Sequence, residues 1–354
     1  MNISTKLSDE QIDIKKPSNG YEWWYFDALS SDKQWGIVII FYHGNPFSPK
    51  YIVAENGYPN QFPGISISVY KKGKPEFYSF LEYEEDKFNW DAEDHSVSIG
   101  SNIFKRTVND EVVEYELLLA QTLASGHSIN AKLKFNSSII SNNLIDYKSM
   151  GEIHFWNLIQ PQSQVYGTIN LNGKKNEQSI NFTGTGYHDH NTGYEPMKDS
   201  FRDWYWGRFH FKESTLIYYI MNGLDNSEQY EAWLISKDGS EIIERFDQIE
   251  LEYFQKSGFG LQTARKIELR SKNSKVSIQQ RDRIDNGPFY QRFLSDAVMI
   301  HDGYTKASTG FTEYIKPEKI YDEKYRWMVR MRLRFMYQNP HWVQKSKMLY
   351  EWTW

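Results

Sequence analysis

Apolar and polar positions along the chain alternate in short runs bounded by turn residues, with a period of two far more often than 3.6. YEWWYFDALSS, a polar turn at Asp32–Lys33 and the β-branched run WGIVIIFYHG predict a first hairpin over 21–43. The Pro-, Asn- and Gly-rich stretch 45–62 reads as a long loop, and ISISVYKKGKPEFYSFLEY as a hairpin around Lys72–Gly73. Strands follow over 96–107, 113–122 and 128–136. VYGTINL and QSINFTGTGY flank Asn172–Gly173, and Asn-Gly between alternating segments is the strongest short-range hairpin signal.

A second alternating set begins at Trp204 with WYWGRFHF, STLIYYIMNG and QYEAWLISKDG. It continues through KIELRSKN and KVSIQQRD, around a turn near Asn273, to GFTEYIKPEKI. Helical periodicity is scarce; MVRMRLRFMYQ fits a strand or a helix. Many short strands with regular turn signals predict an all-β protein of sandwiches or barrels, and no 20–50-residue repeat is visible. Gly193 and Pro196 interrupt the two β-sets, which predicts a first domain of residues 1–195 and a second of 196–354.

A length of 354 residues suits two such domains and buries enough surface to need no disulfides, which the absence of Cys rules out in any case. The amino terminus lacks the charged start, apolar run and cleavage site of a signal peptide, and no stretch reaches the roughly 20 apolar residues of a spanning helix. A cytoplasmic location is expected. The net charge of −5 argues against nucleic-acid binding, which needs a basic face. The run RWMVRMRLRF with the WTW carboxyl terminus would suit peripheral contact with a membrane, or form a basic strand beside acidic neighbours.

With 12 Trp, 25 Tyr and 21 Phe, aromatic residues make up 16% of the chain. A large β-core accounts for many of them. The Trp doublets and i, i+2 pairs fit that explanation less well and point to a surface for an apolar ligand.

Side chains two apart on a strand share a face. In GTGYHDHN this rule sets Tyr187 and Asp189 on one side and His188 and His190 on the other. It also pairs His154 with Trp156, and aligns Trp204, Trp206, Arg208 and His210. Gly184 and Gly186 leave room for a ligand or a close backbone. A desolvated Asp beside aromatic rings can stay protonated and donate its proton, and indole faces can stabilise a nearby cation. Protonating an isolated alkene requires both. The same residues also fit a turn cap at Asp189 before Asn191–Gly193, with the aromatics as core. Glu22, beside Trp23 and Trp24, would reach the cavity or stand solvated or Arg-paired. His188-x-His190 followed by Glu195 is similar to cupin metal spacing, but the Gly expected after the Glu is missing, and no metal is expected.

YEWWYFDA, HFW, GTGYHDHNTG, DWYWGR, GPFYQRF and GFTEYIKP, in that order from Tyr21 to about Arg334, resemble the carotenoid 1,2-hydratase (hydroxyneurosporene synthase) family. That family is related to the lipocalin-like AttH proteins. The resemblance implies two lipocalin-like β-barrel or sandwich domains packed together, and cofactor-free addition of water to a terminal isoprenoid double bond. The family's His-x-Trp and Tyr-x-Asp pairs fall on His154 and Trp156, and on Tyr187 and Asp189. Asp189 would protonate the alkene, Trp156 and Tyr187 would cover the tertiary cation, and His154 would orient or deprotonate water. Trp24, Trp204, Trp206 and Glu22 are the expected substrate-binding residues, and the partner is an apolar isoprenoid or polyene. The architecture also serves fungal decalin-forming pericyclases, so polyene cyclisation, or apolar-ligand binding without chemistry, is the alternative.

Overall fold

The computed structural model describes residues 1–13, 16–141, 144–148 and 153–354. Residues 151–152 of the run GEIHFW lie outside them. Two curled antiparallel sheets dominate, in two compact units: Met1–Pro196 with Arg326–Trp354, and Met197–Tyr325. The first unit therefore extends one residue past the expected boundary, and the expected second domain loses residues 326–354. The segment that returns to the first unit is held by parallel pairing of Leu333–Phe335 with Phe80–Glu82 and by the Tyr337 hydroxyl donating to Glu82.

In the first unit, the hairpin Tyr21–Ser30/Trp35–His43 continues into Gly64–Lys71 and Lys74–Glu82. Its opening strand also pairs with the much later Glu177–Gly193, which pairs in turn with His154–Asn172. The second unit repeats this plan. Its opening strand Phe201–His210 lies between Ser214–Gly223 and its last strand, Tyr304–Ile315. The aromatic runs YEWWYFDA and DWYWGRFH thus occupy equivalent places, each on a strand that joins the beginning of a unit to its end.

Alternation selects one face of each sheet for a core. In the first unit Trp24, Phe26, Phe41, Ile65, Phe77 and Phe135 form it; in the second, Tyr205, Phe209, Leu216, Tyr218, Ile278 and Met299. At about 25 cal/mol per Å2 of apolar surface, these clusters supply the main drive to fold.

Several elements depart from the expected bounds. The loop 45–62 holds a short helix, Pro49–Val53, capped by the Ser48 hydroxyl. The strand expected over 96–107 is two, Ser96–Ile99 and Asn102–Asn109, with a turn between them. The hairpin near Asn172–Gly173 is real but larger: Asn172 pairs with Glu177 across a four-residue loop. Its first strand bulges between Leu158 and Ser163, where Pro161 cannot donate to the ladder. MVRMRLRFMYQ divides between a helix, Arg326–Arg332, and the strand Leu333–Phe335.

Candidate functional site

The strand Glu177–Gly193 carries Tyr187, Asp189 and Asn191 on the face turned away from the first unit's core. Its register sets Tyr25 opposite Asp189 and Asp27 opposite Tyr187 on one side, and Leu158 opposite Asp189 and Trp156 opposite Asn191 on the other. No turn cap forms at Asp189, because the strand runs on to Gly193.

Three donors converge on the buried Asp189 carboxyl. Trp156 Nε1 donates to Oδ2 at 2.8 Å, the Tyr187 hydroxyl to the same oxygen at 2.6 Å, and Asn191 Nδ2 to Oδ1 at 2.8 Å. Tyr187 is fully buried; desolvation, reinforced by Asp189, pushes its phenol well above its ordinary value, so it remains a donor at neutral pH. The Tyr25 ring meets the Tyr187 ring edge-on, with centroids 6.1 Å apart.

His154 occupies the same face, opposite Gly193. Its Nδ1 is 2.7 Å from the Tyr21 hydroxyl, and its Nε2 is 3.8 Å from a Glu195 oxygen. Burial lowers the imidazole to about 4, so it is neutral near pH 7. Tyr21 also stacks on Trp23, with centroids 4.8 Å apart. Three residues not expected on this face, Asn191, Tyr21 and Trp23, therefore join it. Extending the two-residue period one step from Asp189, and along Tyr21–Trp23–Tyr25, would have found them.

Glu22 and Trp24 point the other way, into the core. Glu22 Oε1 lies 2.8 Å from His190 Nε2, and Oε2 lies 3.2 Å from His43 Nδ1 and 3.7 Å from Lys16 Nζ. Burial alone would raise this carboxyl, but hydrogen bonds from His190 and His43 outweigh it and hold Glu22 at about 2. Glu22 is thus neither solvated nor Arg-paired, and Trp24 stacks on His190 at 5.0 Å. Beside it, Glu10 bonds His188 Nε2 at 2.8 Å, Arg106 at 2.8 Å and the Tyr115 hydroxyl. Burial opposes the charge here too; His188, then Arg106, hold Glu10 at about 2. His188 and His190 thus serve two different carboxylates, while Glu195 lies with His154, so the His-x-His…Glu set does not converge.

Gly184 and Gly186 serve close packing. A Cβ on Gly184 would meet the Leu29 carbonyl oxygen at 2.0 Å, and one on Gly186 would meet Phe135 and Val165 at 2.6 Å. The space that could have held a ligand is filled.

In the second unit, Trp204, Trp206, Arg208 and His210 share the face opposite that unit's core. All four are buried. Tyr219 and Glu313 flank Trp206, and the Arg208 guanidinium lies 5.2 Å from the centre of the Phe311 ring.

These features define a lipocalin-like protein of two β-units, with a carboxyl buried among aromatic side chains on the non-core face of one sheet. The chain belongs to the carotenoid hydratase CrtC family, whose model matches residues 38–335. It is 26% identical over 344 residues to hydroxyneurosporene dehydrogenase of Chlorobaculum tepidum, covering 90% of this chain and 88% of that protein. It is 25% identical over 225 residues to acyclic carotenoid 1,2-hydratase of Thiocapsa roseopersicina, covering 59% of this chain; it spans about half, 49%, of that relative's length. The fold is similar to that of an AttH protein of Nitrosomonas europaea, with a TM-score of 0.61 at 17% identity over 88% of this chain and 96% of that one.

Proposed function

We propose that the protein adds water across a terminal double bond of an acyclic, carotenoid-like isoprenoid, with Asp189 as the acid. The three-donor clamp on Asp189 carries this reading. Trp156, Tyr187 and Asn191 stabilise the carboxylate left after the proton departs. The Asp189 proton goes to the less substituted alkene carbon, and the more substituted carbon becomes a tertiary cation.

Trp156 and Tyr187 then have two roles: their N–H and O–H groups serve Asp189, and the electron-rich faces of their rings stabilise the cation. Water adds to the cation and gives up a proton. Neutral His154, oriented by Tyr21, accepts it, and its return to Asp189 restores the starting state. No step requires a metal or an organic cofactor. Trp204 and Trp206 lie on the non-core face of the second unit and are proposed as an apolar-ligand surface of that unit. Glu22 and Trp24 are reassigned to holding the strand that bears Asp189.

The test is incubation with an acyclic carotenoid in 18O-labelled water, followed by mass spectrometry. Hydration gives a product heavier by one labelled water. An isomer of unchanged mass would support cyclisation, and unaltered bound carotenoid would support the binder.

A further inference from the structure

The carboxyl-terminal segment of the first unit, Arg326–Trp354, is apolar on both sides. Its inner side is docked: Val343 and Tyr350 are buried, Trp354 stands 4.7 Å from His127, and Gln344 Nε2 donates to the carbonyls of Arg330, Met331 and Leu333. His127 Nε2 lies 3.0 Å from the only acid of the segment, Glu351. These anchors make the segment a fixed base for whatever it displays outward.

What it displays is large and apolar. Trp352 is 77% exposed, Met348 74%, Trp342 64% and Trp327 57%. Met348 and Trp352 are four apart on the helix Lys347–Trp352 and so share one side of it. Trp342 and Lys345 are three apart on the preceding helix, Trp342–Lys345. A helix with an apolar side already buried has no folding reason to carry a second one in water.

Charge identifies the occupant. The segment holds six Lys and Arg against one Glu, in a chain whose net charge is −5. Exposed Lys345 is three residues from Trp342 in the chain, and exposed Lys347 is next to Met348. Trp at the headgroup level with flanking cations is the composition that seats a protein in an anionic lipid interface. Among the described residues no helix is long and apolar enough to cross a membrane, so contact through this segment is by lying on the surface.

We propose that the exposed side chains of Trp327, Trp342, Met348 and Trp352, with Lys345 and Lys347, dock the first unit on an anionic bilayer. The proposal is independent of the reaction at Asp189.

Co-sedimentation of the full chain with vesicles of phosphatidylcholine alone, and of equal parts phosphatidylcholine and phosphatidylglycerol, tests it. Binding is expected to the anionic vesicles and to fall at least about tenfold when salt shortens the screening length from about 10 Å to about 3 Å. The double variant Trp342→Glu/Trp352→Glu should bind at least about tenfold more weakly with an unchanged melting temperature, because both side chains are exposed. Tyr304→Glu, at an equally exposed aromatic of the second unit, should bind as the wild type does. The proposal is overturned by absence of wild-type binding, by equal binding to neutral vesicles, or by equal loss in Tyr304→Glu. It is also overturned if the wild type forms a dimer without vesicles and the double variant abolishes it, since a second copy would then cover these side chains.

Discussion

Asp189 and His190 are adjacent in the chain and point through opposite faces of one strand, each into a hydrogen bond of 2.8 Å: Trp156 Nε1 to the Asp189 carboxylate, and His190 to Glu22. The candidate acid and the buried ion cluster are therefore back to back. The Glu22 and Glu10 networks fix the strand from the core side, and the pleat transmits that register to Asp189 on the other.

Removing one donor should weaken the acid without dismantling the site. Tyr187→Phe keeps the ring and deletes the O–H bonded to Oδ2. A hydrogen bond to a charged group contributes about 1.5–3 kcal/mol, so kcat should fall by about tenfold to a hundredfold with little change in KM. Steady-state kinetics on a purified acyclic carotenoid measure it, and an unchanged kcat would show that the phenol does not assist proton transfer.

Breaking the core-side cluster should instead cost stability. Glu22→Ala leaves Lys16, His43 and His190 around an uncompensated buried space, and losing one partner of a buried ion pair costs about 3–5 kcal/mol. Urea denaturation should show this loss for Glu22→Ala and a clearly smaller one for Asp189→Asn, which keeps the shape of its side chain. Equal losses would remove the division of labour between the two faces.

The pH dependence of stability has two limbs of opposite sign. Glu10 and Glu22 are held at about 2, below the ordinary 4.5, so their stabilisation is complete above pH 4.5 and is lost as pH falls toward 2. Burial raises Glu82 to about 7 despite bonds from Ser48 and Tyr337, so its contribution is complete below pH 4.5 and is lost as pH rises through 7. His154, lowered to about 4, adds stability above its ordinary 6.5 that disappears as pH falls through 4. Glu82→Gln cannot ionise, so its stability relative to wild type should improve steadily from pH 4.5 to 7. Denaturant melts across that range check it, and a constant difference would place the Glu82 titration elsewhere.

The two pairs on the candidate face were legible in the sequence because a strand's period needs no knowledge of its partners. Tyr187 with Asp189, and His154 with Trp156, emerged from alternation and from the family motifs alike. Which of two adjacent indoles faces the core was not legible: Trp23 and Trp24 point opposite ways, and only pairing with the distant Asn191 and His190 decides between them. Glu10 was invisible for a related reason. It lies outside any strand and finds His188 and Arg106 only in the folded chain. The same holds for Leu333–Phe335, whose parallel pairing with Phe80–Glu82 moves the end of the chain into the first unit. The all-β class rests on local signals repeated many times, so it could be read early, whereas unit membership depends on a few long-range contacts.

The most direct measurement is the rate of 18O-water incorporation into an acyclic carotenoid by the wild type and by Asp189→Asn under single-turnover conditions. Asn preserves the shape of the side chain but has no acidic proton. The account predicts that incorporation by Asp189→Asn falls at least about a hundredfold, with carotenoid still bound. Incorporation by Asp189→Asn at the wild-type rate would contradict it, because the proton would then come from another group.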